Sequence, residues 1–140
     1  MINQIYPCLW FDDQAKTAAE FYCSVFKNSK ILSDNPMVVM FEINGTKFMA
    51  LNGGPQFKFN ESVSFVVNCD TQAEIDYYWE KLTNSGQESM CGWLKDKYGV
   101  SWQIVPTIIG ELMSDPVRAE RVTKAFMKMR KLDIETLNNA

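Results

Sequence analysis

The groups that could carry chemistry in this chain of 140 residues are thiols, phenols, amides and carboxylates, because the sequence contains no histidine. A chain without histidine has no imidazole general base and no Ser-His or Cys-His nucleophilic pair. It also lacks the imidazole ligands of most catalytic zinc sites. A large share of enzyme chemistry is therefore excluded before any motif is considered.

The four cysteines are widely and irregularly spaced, and no two of them form a Cys-x-x-Cys pair; they are Cys8, Cys23, Cys69 and Cys91. The spacing therefore indicates neither a zinc site nor a redox dithiol. Such thiols are usually small buried apolar groups in a reducing compartment. Residues 1–4 lack the features of a signal peptide, and no apolar run approaches the about 20 residues of a membrane span. We therefore expect a cytoplasmic protein with no membrane partner.

The composition is that of one globular domain. Hydrophobic residues make up 46% of the chain and charged residues 22%, which is enough apolar material for a real core. Lys and Arg number 14 against 17 Asp and Glu, so the formal net charge is -3. A non-specific nucleic-acid binder needs the opposite balance, and we therefore expect no nucleic-acid partner.

The elements that must position the candidate groups follow the order β-α-β-β-β in the first half. The aromatic run at residues 5–11 predicts a strand, and Asp12 and Asp13 predict the N-cap of the helix that follows. One apolar face predicts that this helix ends near residue 28; its members are Ala18, Phe21, Tyr22, Val25 and Phe26. Strands are predicted at 30–32, 37–43 and 46–51, and Asn44-Gly45 predicts the hairpin turn between the last two.

The second half repeats this order. A strand is predicted at 62–69, and Thr71 with Glu74 forms the pattern of a capping box at a helix start. Further strands are predicted at 88–94 and 100–105. A shift of 57 residues places Val25 on Leu82 and keeps the two helices in phase, which indicates an internal duplication.

A helical extension is predicted over residues 107–140. Asp115 followed by Pro116 predicts a helix start. The helix has one apolar stripe, formed by Val122, Ala125, Phe126 and Met129, which needs a partner surface either in a second chain or in the chain's own sheet. Its other faces are basic, which favours a solvated surface over an anion-binding one.

Specific strings in this order resemble the PhnB-like branch of the vicinal oxygen chelate superfamily, the fold of glyoxalase I and bleomycin-resistance proteins. They are YPCLWFD at 6–12, FY at 21–22, FKNS at 26–29, FMALNGGP at 48–55, DYYWEKL at 76–82, CGWLKDKYG at 91–99 and SWQIVP at 101–106. That branch is often described as 3-demethylubiquinone-9 3-methyltransferase. The resemblance implies an α+β fold of two βαβββ modules, about 1–55 and 60–106, forming a cupped mixed sheet in one domain of residues 1–140.

Metal-binding members of this superfamily use four ligands, one on the first and one on the last strand of each module. Carried over to this sequence, these positions fall at Tyr6 or Pro7, around residues 50–52, at Ser64 and at Gln103. None is a histidine or a carboxylate, and neutral oxygens and amides do not supply the charge that holds Zn²⁺, Ni²⁺ or Fe²⁺. We therefore expect no metal, and Gln103 is the one residue left that could act as a ligand.

A methyltransferase that uses S-adenosylmethionine usually has a glycine-rich turn after its first strand, where the backbone approaches the cofactor. Here that turn reads Asp12-Asp13-Gln14-Ala15, and no P-loop is present. The glycine pair Gly53-Gly54 follows the last strand of the first module, where it predicts a plain turn. We therefore expect no cofactor.

The resemblance places alternate side chains of the strands, Phe41 among them, on an inward face rich in aromatic and Met residues. The residues predicted to bind a ligand are Tyr6, Cys8, Trp10, Met49, Asn52, Ser64, Trp102 and Gln103. Three functions stay open. The first is a metal-free protein that binds a small, largely apolar or aromatic molecule. The second is a metal-independent enzyme that acts on a small metabolite through Tyr6, Cys8 or Gln103, and the third is a homodimer without ligand. The alternative for the lining is that it only fills the core. A homodimer is expected in each case, because open sheet edges need partners.

Overall fold

The computed structural model describes residues 3–140. The chain divides into two compact units, residues 1–59 and residues 60–140, called unit 1 and unit 2 below. Residues 1 and 2 lie outside the described residues; they belong to the predicted first module and to the N-terminal segment 1–4. No helix between residues 3 and 140 is long and apolar enough to cross a bilayer.

Unit 1 has the predicted order β-α-β-β-β. Its elements are β1 (Cys8–Phe11), α1 (Ala15–Val25), β2 (Ser29–Asp34), β3 (Val38–Ile43) and β4 (Thr46–Asn52). The strands form one mixed sheet in the order β1-β4-β3-β2, in which β1 and β4 are parallel and the other neighbours antiparallel. The predicted hairpin turn is confirmed, because Asn44 and Gly45 join β3 to β4 with φ of 48° and 86°.

Unit 2 repeats this arrangement and adds a helical tail. Its elements are β5 (Ser64–Cys69), α2 (Gln72–Thr83), β6 (Gln87–Glu88), β7 (Trp93–Lys95), β8 (Ser101–Pro106), α3 (Ile109–Leu112), α4 (Pro116–Phe126) and α5 (Ile134–Asn138). The sheet order is β5-β8-β7-β6, again with the first pair parallel. The α+β fold and the internal duplication are thus confirmed, as two four-stranded sheets of the same topology.

The core of unit 1 lies between α1 and one face of its sheet. Tyr22 of α1 is fully buried and stacks on Phe41, which in turn stacks on Phe48, with ring centroids 6.0 and 5.3 Å apart. Val39, two residues before Phe41, is buried on the same face. The prediction that Phe41 faces inward to a ligand is therefore wrong, because the pleat turns it towards the helix.

The start of α1 differs from the sequence prediction. Asp12 and Asp13 were expected to cap the helix, but the N-cap position is Gln14, whose side chain makes no capping hydrogen bond. Asp13 has φ of 62° and belongs to the turn before the helix. The cap comes instead from a side chain of β4, which is described with the candidate site.

The core of unit 2 is formed under α2. The predicted capping box is confirmed, since the Thr71 side chain accepts from the Glu74 N–H and the Glu74 carboxylate accepts from the Thr71 N–H. The strand predicted at residues 88–94 is interrupted, because Cys91 and Gly92 take φ of 63° and 83° and form a turn between β6 and β7. A residue with positive φ interrupts a strand, and in the sequence only Gly92 indicates that such a conformation occurs here.

The tail builds a small core of its own inside unit 2. Asp115 caps α4 and Pro116 occupies its first turn, as predicted. The apolar stripe of α4 packs in a cluster whose buried members are Leu112, Val122, Leu132 and Leu137. The tail is tied to α2, because the Gln72 side chain donates to Leu132 O and accepts from Ile134 N at 3.0 and 2.8 Å. The stripe therefore finds its partner surface within the chain.

Candidate functional site

The sheet of unit 1 has a second face that points away from α1, called the open face of unit 1. Cys8 and Trp10 lie on this face, because Leu9 and Phe11, which alternate with them along β1, are buried towards the helix. Met49 is the register partner of Cys8 and shares its face. The structure thus brings together three of the predicted binding residues on one half-exposed surface.

Trp10 is held in a fixed position on this face. Its indole N–H donates to Gly54 O at 2.8 Å, and the Phe57 ring meets it edge-on with centroids 5.0 Å apart. Gly53 lies against the ring so closely that any Cβ there would overlap the indole. The segment after β4 therefore fixes the orientation of a half-exposed aromatic surface.

Tyr6 and Cys8 supply the other predicted groups of this surface. The Lys47 ammonium lies over the Tyr6 ring, 5.0 Å from its centroid, in a cation–π contact. Burial raises the pKa of the Cys8 thiol above its usual 9.0. A raised pKa keeps the thiol protonated at neutral pH, which is the opposite of what a cysteine nucleophile needs.

Asn52 is not on the open face of unit 1. It pairs in register with Phe11, and its side chain points to the start of α1. Its Oδ1 accepts from Ala15 N at 2.8 Å, and its Nδ2 donates to Pro36 O at 3.0 Å. Both ends of the amide are therefore used to hold the helix and the β2–β3 link.

The sheet of unit 2 likewise has an open face, opposite α2. Ser64 and Gln103 lie on it, and Gln103 Nε2 donates to Ser64 Oγ at 2.9 Å. Val66, the register partner of Gln103, is 53% exposed on the same face. The two polar residues predicted from the sequence are therefore neighbours, joined by a direct hydrogen bond.

Trp102 lies on the opposite face of this sheet from Gln103. It is 3% exposed, and its indole N–H donates to Asp96 Oδ2 at 2.9 Å. Asp96 is itself buried and its Oδ1 accepts from the N–H groups of Tyr98 and Val100. The hydrogen bond from Trp102 to Asp96 thus stabilises the β7–β8 turn from inside the core, and the Trp102 side chain is not part of the open face.

A transition metal, which the fold's metal-binding relatives imply, does not fit the residues at the expected positions. Ser64, Gln103 and Asn52 are all neutral, and the Asn52 side-chain oxygen is already used to cap α1. Within residues 3–140, no three His, Cys, Asp or Glu side chains lie close enough together to hold a metal ion. Without a charged donor, nothing at these positions compensates the desolvation of a dication.

The turn after β1 does not fit S-adenosylmethionine either. The first helical N–H of α1, that of Ala15, is taken by the Asn52 side chain. The turn itself has Asp12 and Asp13 where a cofactor turn has glycines. The residues of this turn therefore do not fit the methyl-donating cofactor.

A cleft that the sequence did not predict lies along the outer strands of unit 2. It encloses about 140 Å³ and is lined by Glu61, Gln87, Glu88, Ser89, Trp93, Leu94, Lys95 and Ser101. Lys95 Nζ lies 2.8 Å from Glu61 Oε1, and the hydrogen bond from this ammonium lowers the pKa of the Glu61 carboxyl. The one sequence feature that could have indicated this cleft is the alternation along β7, where Trp93 and Lys95 flank the buried Leu94.

Comparison with known proteins agrees with this fold. The family model described as 3-demethylubiquinone-9 3-methyltransferase matches residues 3–105. The chain belongs to this family. The 3-demethylubiquinone-9 3-methyltransferase family is part of the vicinal oxygen chelate superfamily, so the resemblance seen in the sequence is confirmed. A solved member described as a putative 3-demethylubiquinone-9 3-methyltransferase, PhnB protein, from Bacillus cereus is 32% identical, with a TM-score of 0.69 over 75% of this chain and 100% of its own.

More distant structures share the fold of this family. A glyoxalase-related enzyme from Fulvimarina pelagi is 18% identical over 77% of this chain and 91% of its own, with a TM-score of 0.57. The fosfomycin resistance protein FosX from Listeria monocytogenes, solved with Mn(II) and sulfate, is 16% identical over 80% and 97%, also with a TM-score of 0.57. A comparison with curated protein sequences finds no match.

Proposed function

We propose that this protein binds a small, largely apolar or aromatic molecule on the open face of unit 1, without a metal. The observation that carries the proposal is Trp10, a half-exposed indole held by the Gly54 carbonyl and the Phe57 ring. A fixed aromatic plane binds a flat ligand without first losing side-chain freedom. Met49 and Cys8 extend the apolar surface beside it.

Ser64 and Gln103 are proposed to give unit 2 its hydrogen-bonding capacity for a ligand. Their mutual hydrogen bond uses one Gln103 N–H and one Ser64 lone pair. The Gln103 carbonyl oxygen and the Ser64 hydroxyl proton remain for a ligand, one as acceptor and one as donor. A neutral pair of this kind orients a polar substituent and does not select for charge.

Binding is favoured over the metal-independent enzyme that the sequence left open. Of the groups proposed for catalysis, Cys8 has its thiol pKa raised by burial, and this suppresses the thiolate. Gln103 is engaged with Ser64 and has no titratable group to move a proton. The surface is therefore better suited to holding a molecule than to transforming it.

The test of binding is a thermal-shift screen of aromatic metabolites and antibiotics, followed by tryptophan fluorescence titration. A ligand present at about 100 times its Kd should stabilise the protein by about 2.7 kcal/mol. Trp10→Ala should abolish the shift, and Met49→Glu should weaken it by placing a charge on the surface. Tyr77→Ala, which removes a 40% exposed ring from α2, is the control. A ligand that stabilises wild type and Trp10→Ala equally would remove unit 1 from the proposal.

We also propose a cytoplasmic homodimer. The edge strand β5 supports it, because Val66 on this strand and Val63 just before it are 53% and 65% exposed, and an apolar edge favours a partner. The four cysteines are unpaired thiols, in keeping with a reducing compartment.

Light scattering should give twice the 16.1 kDa of one chain. Val66→Lys should produce monomers, whereas Val117→Lys, at a valine of α4 that is also exposed, should not. Wild type that stays monomeric at high concentration would refute the dimer.

A further inference from the structure

We propose that the cleft of unit 2 is a binding site for a small carboxylic acid. The inference goes beyond the function proposed above, because none of the residues lining the cleft is among those predicted to bind a ligand. It is carried by three features: a row of polar side chains that runs into the cleft, a buried hydroxyl with no partner among the described residues, and the Glu61 carboxylate that already contacts Lys95.

The polar row crosses all four strands of the sheet. Ser64 pairs in register with Ser101, Ser101 with Lys95, and Lys95 with Gln87. Register partners on neighbouring strands present their side chains to the same face, so this row lies on the open face of unit 2. Three members of the row line the cleft, namely Gln87, Lys95 and Ser101.

Ser101 is the member of the row that lacks an explanation in the fold. The residue is 1% exposed, and its hydroxyl has no hydrogen-bond partner among the described residues. Leaving a buried hydroxyl unpaired is unfavourable, and most such groups in folded proteins have a partner. Since Ser101 lines the cleft, a ligand there can supply the missing acceptor.

Lys95 and Glu61 show which chemical group the cleft accepts. Lys95 is the more enclosed of the two, with 32% of its side chain exposed against 63% for Glu61. The Glu61 carboxylate therefore acts as a replaceable stand-in for a ligand carboxylate on the Lys95 ammonium. It leaves the Ser101 hydroxyl unbonded. A free carboxylate that enters the cleft can accept from both Lys95 and Ser101, which favours it over Glu61.

The size of the cleft and the side chain of Trp93 limit the remainder of the ligand. A volume of about 140 Å³ suits a compact molecule. Trp93 lines the cleft and offers an indole for a flat apolar group. The Gln87 amide at the outer end of the row can bind one further polar substituent.

The test compares acids with their amides by isothermal titration calorimetry on the full chain. The probes are benzoate, phenylacetate and propionate, each against benzamide, phenylacetamide and propionamide. At least one acid should bind saturably and at least about tenfold more tightly than its amide, because a hydrogen bond to an ionised group is the stronger one. Lys95→Met should weaken that acid about tenfold or more, and Glu61→Gln should strengthen it by removing the competing carboxylate.

Ser101→Ala separates a binding role from a structural one. Removing an unpaired buried hydroxyl should raise the thermal midpoint of the free protein while weakening the acid severalfold. Lys128→Met, which removes the same charge from an exposed position of the tail, is the control and should leave binding unchanged. The proposal is overturned if none of the three acids binds, if amides bind as tightly as acids, or if Lys95→Met and Lys128→Met behave alike. Each of these outcomes leaves the Trp10 surface untouched, since its test uses other variants.

Discussion

The side-chain oxygen of Asn52, at the end of β4, accepts a hydrogen bond from the backbone N–H of Ala15, the first residue of α1, at 2.8 Å. The first N–H groups of a helix have no partner within the helix, and a nearby side chain normally supplies one. Here the cap comes from the last strand of the module, 37 residues further along the chain. The contact therefore joins the start of α1 to the end of β4.

Asn52→Ala should destabilise the protein by about 1–2 kcal/mol, because both the cap of α1 and the hydrogen bond to Pro36 O are lost. Gln14→Ala is the matched control, since Gln14 occupies the N-cap position without making a capping bond. Urea unfolding followed by circular dichroism measures both changes. Equal stabilities of the two variants would show that Asn52 does not cap the helix.

Gly53→Ala should displace the Trp10 indole, because the added Cβ overlaps the ring. Overpacking of this kind typically destabilises by about 1–3 kcal/mol. We expect a changed tryptophan emission and a weaker response to aromatic ligands. Gly110→Ala is the control: nothing lies within 4 Å of a Cβ there, and alanine suits the helix α3. An unchanged emission spectrum of Gly53→Ala would contradict the contact.

Trp102→Phe should destabilise unit 2 by about 1–3 kcal/mol, because it removes the donor to the buried Asp96 carboxylate while keeping an aromatic ring in the core. Trp93→Phe makes the same change at a half-exposed indole and should alter stability by less than about 0.5 kcal/mol. The ligand affinity of the open face of unit 1 should be the same in both variants. Denaturant unfolding and titration with a ligand from the screen check the two statements.

The Cys69 thiol should make the protein less stable at alkaline pH. Burial, with smaller contributions from Glu74 and Asp70, raises its pKa from 9.0 to about 11 in the folded chain. The thiol of the unfolded chain ionises first, so between these pKa values the unfolded state binds fewer protons and the free energy of unfolding falls as pH rises. Cys69→Ala should fall less steeply than wild type across this range in urea unfolding. Parallel pH profiles would refute the assignment.

The sequence by itself determined most of the elements and their order, because local patterns dictate them; the strand predicted at 88–94, which the structure divides into β6 and β7, is an exception. The period of Tyr22 and Val25 defined the buried face of α1, Asn44-Gly45 defined a hairpin, and Thr71 with Glu74 defined a helix start. Each of these signals depends on residues within about one turn of one another. The absence of histidine likewise restricted the chemistry without any knowledge of the fold.

Only the tertiary structure decided which predicted residues share a surface. The pleat turns Phe41 and Trp102 to the helices and leaves Trp10 and Gln103 on the open faces, and a shift of one residue in a strand reverses that choice. Asn52 caps a helix far away in sequence, and no local pattern contains that partner. The row from Ser101 to Lys95 exists only because register sets residues of different strands side by side. Sidedness and register are set by long-range pairing, and a single sequence read locally does not contain them.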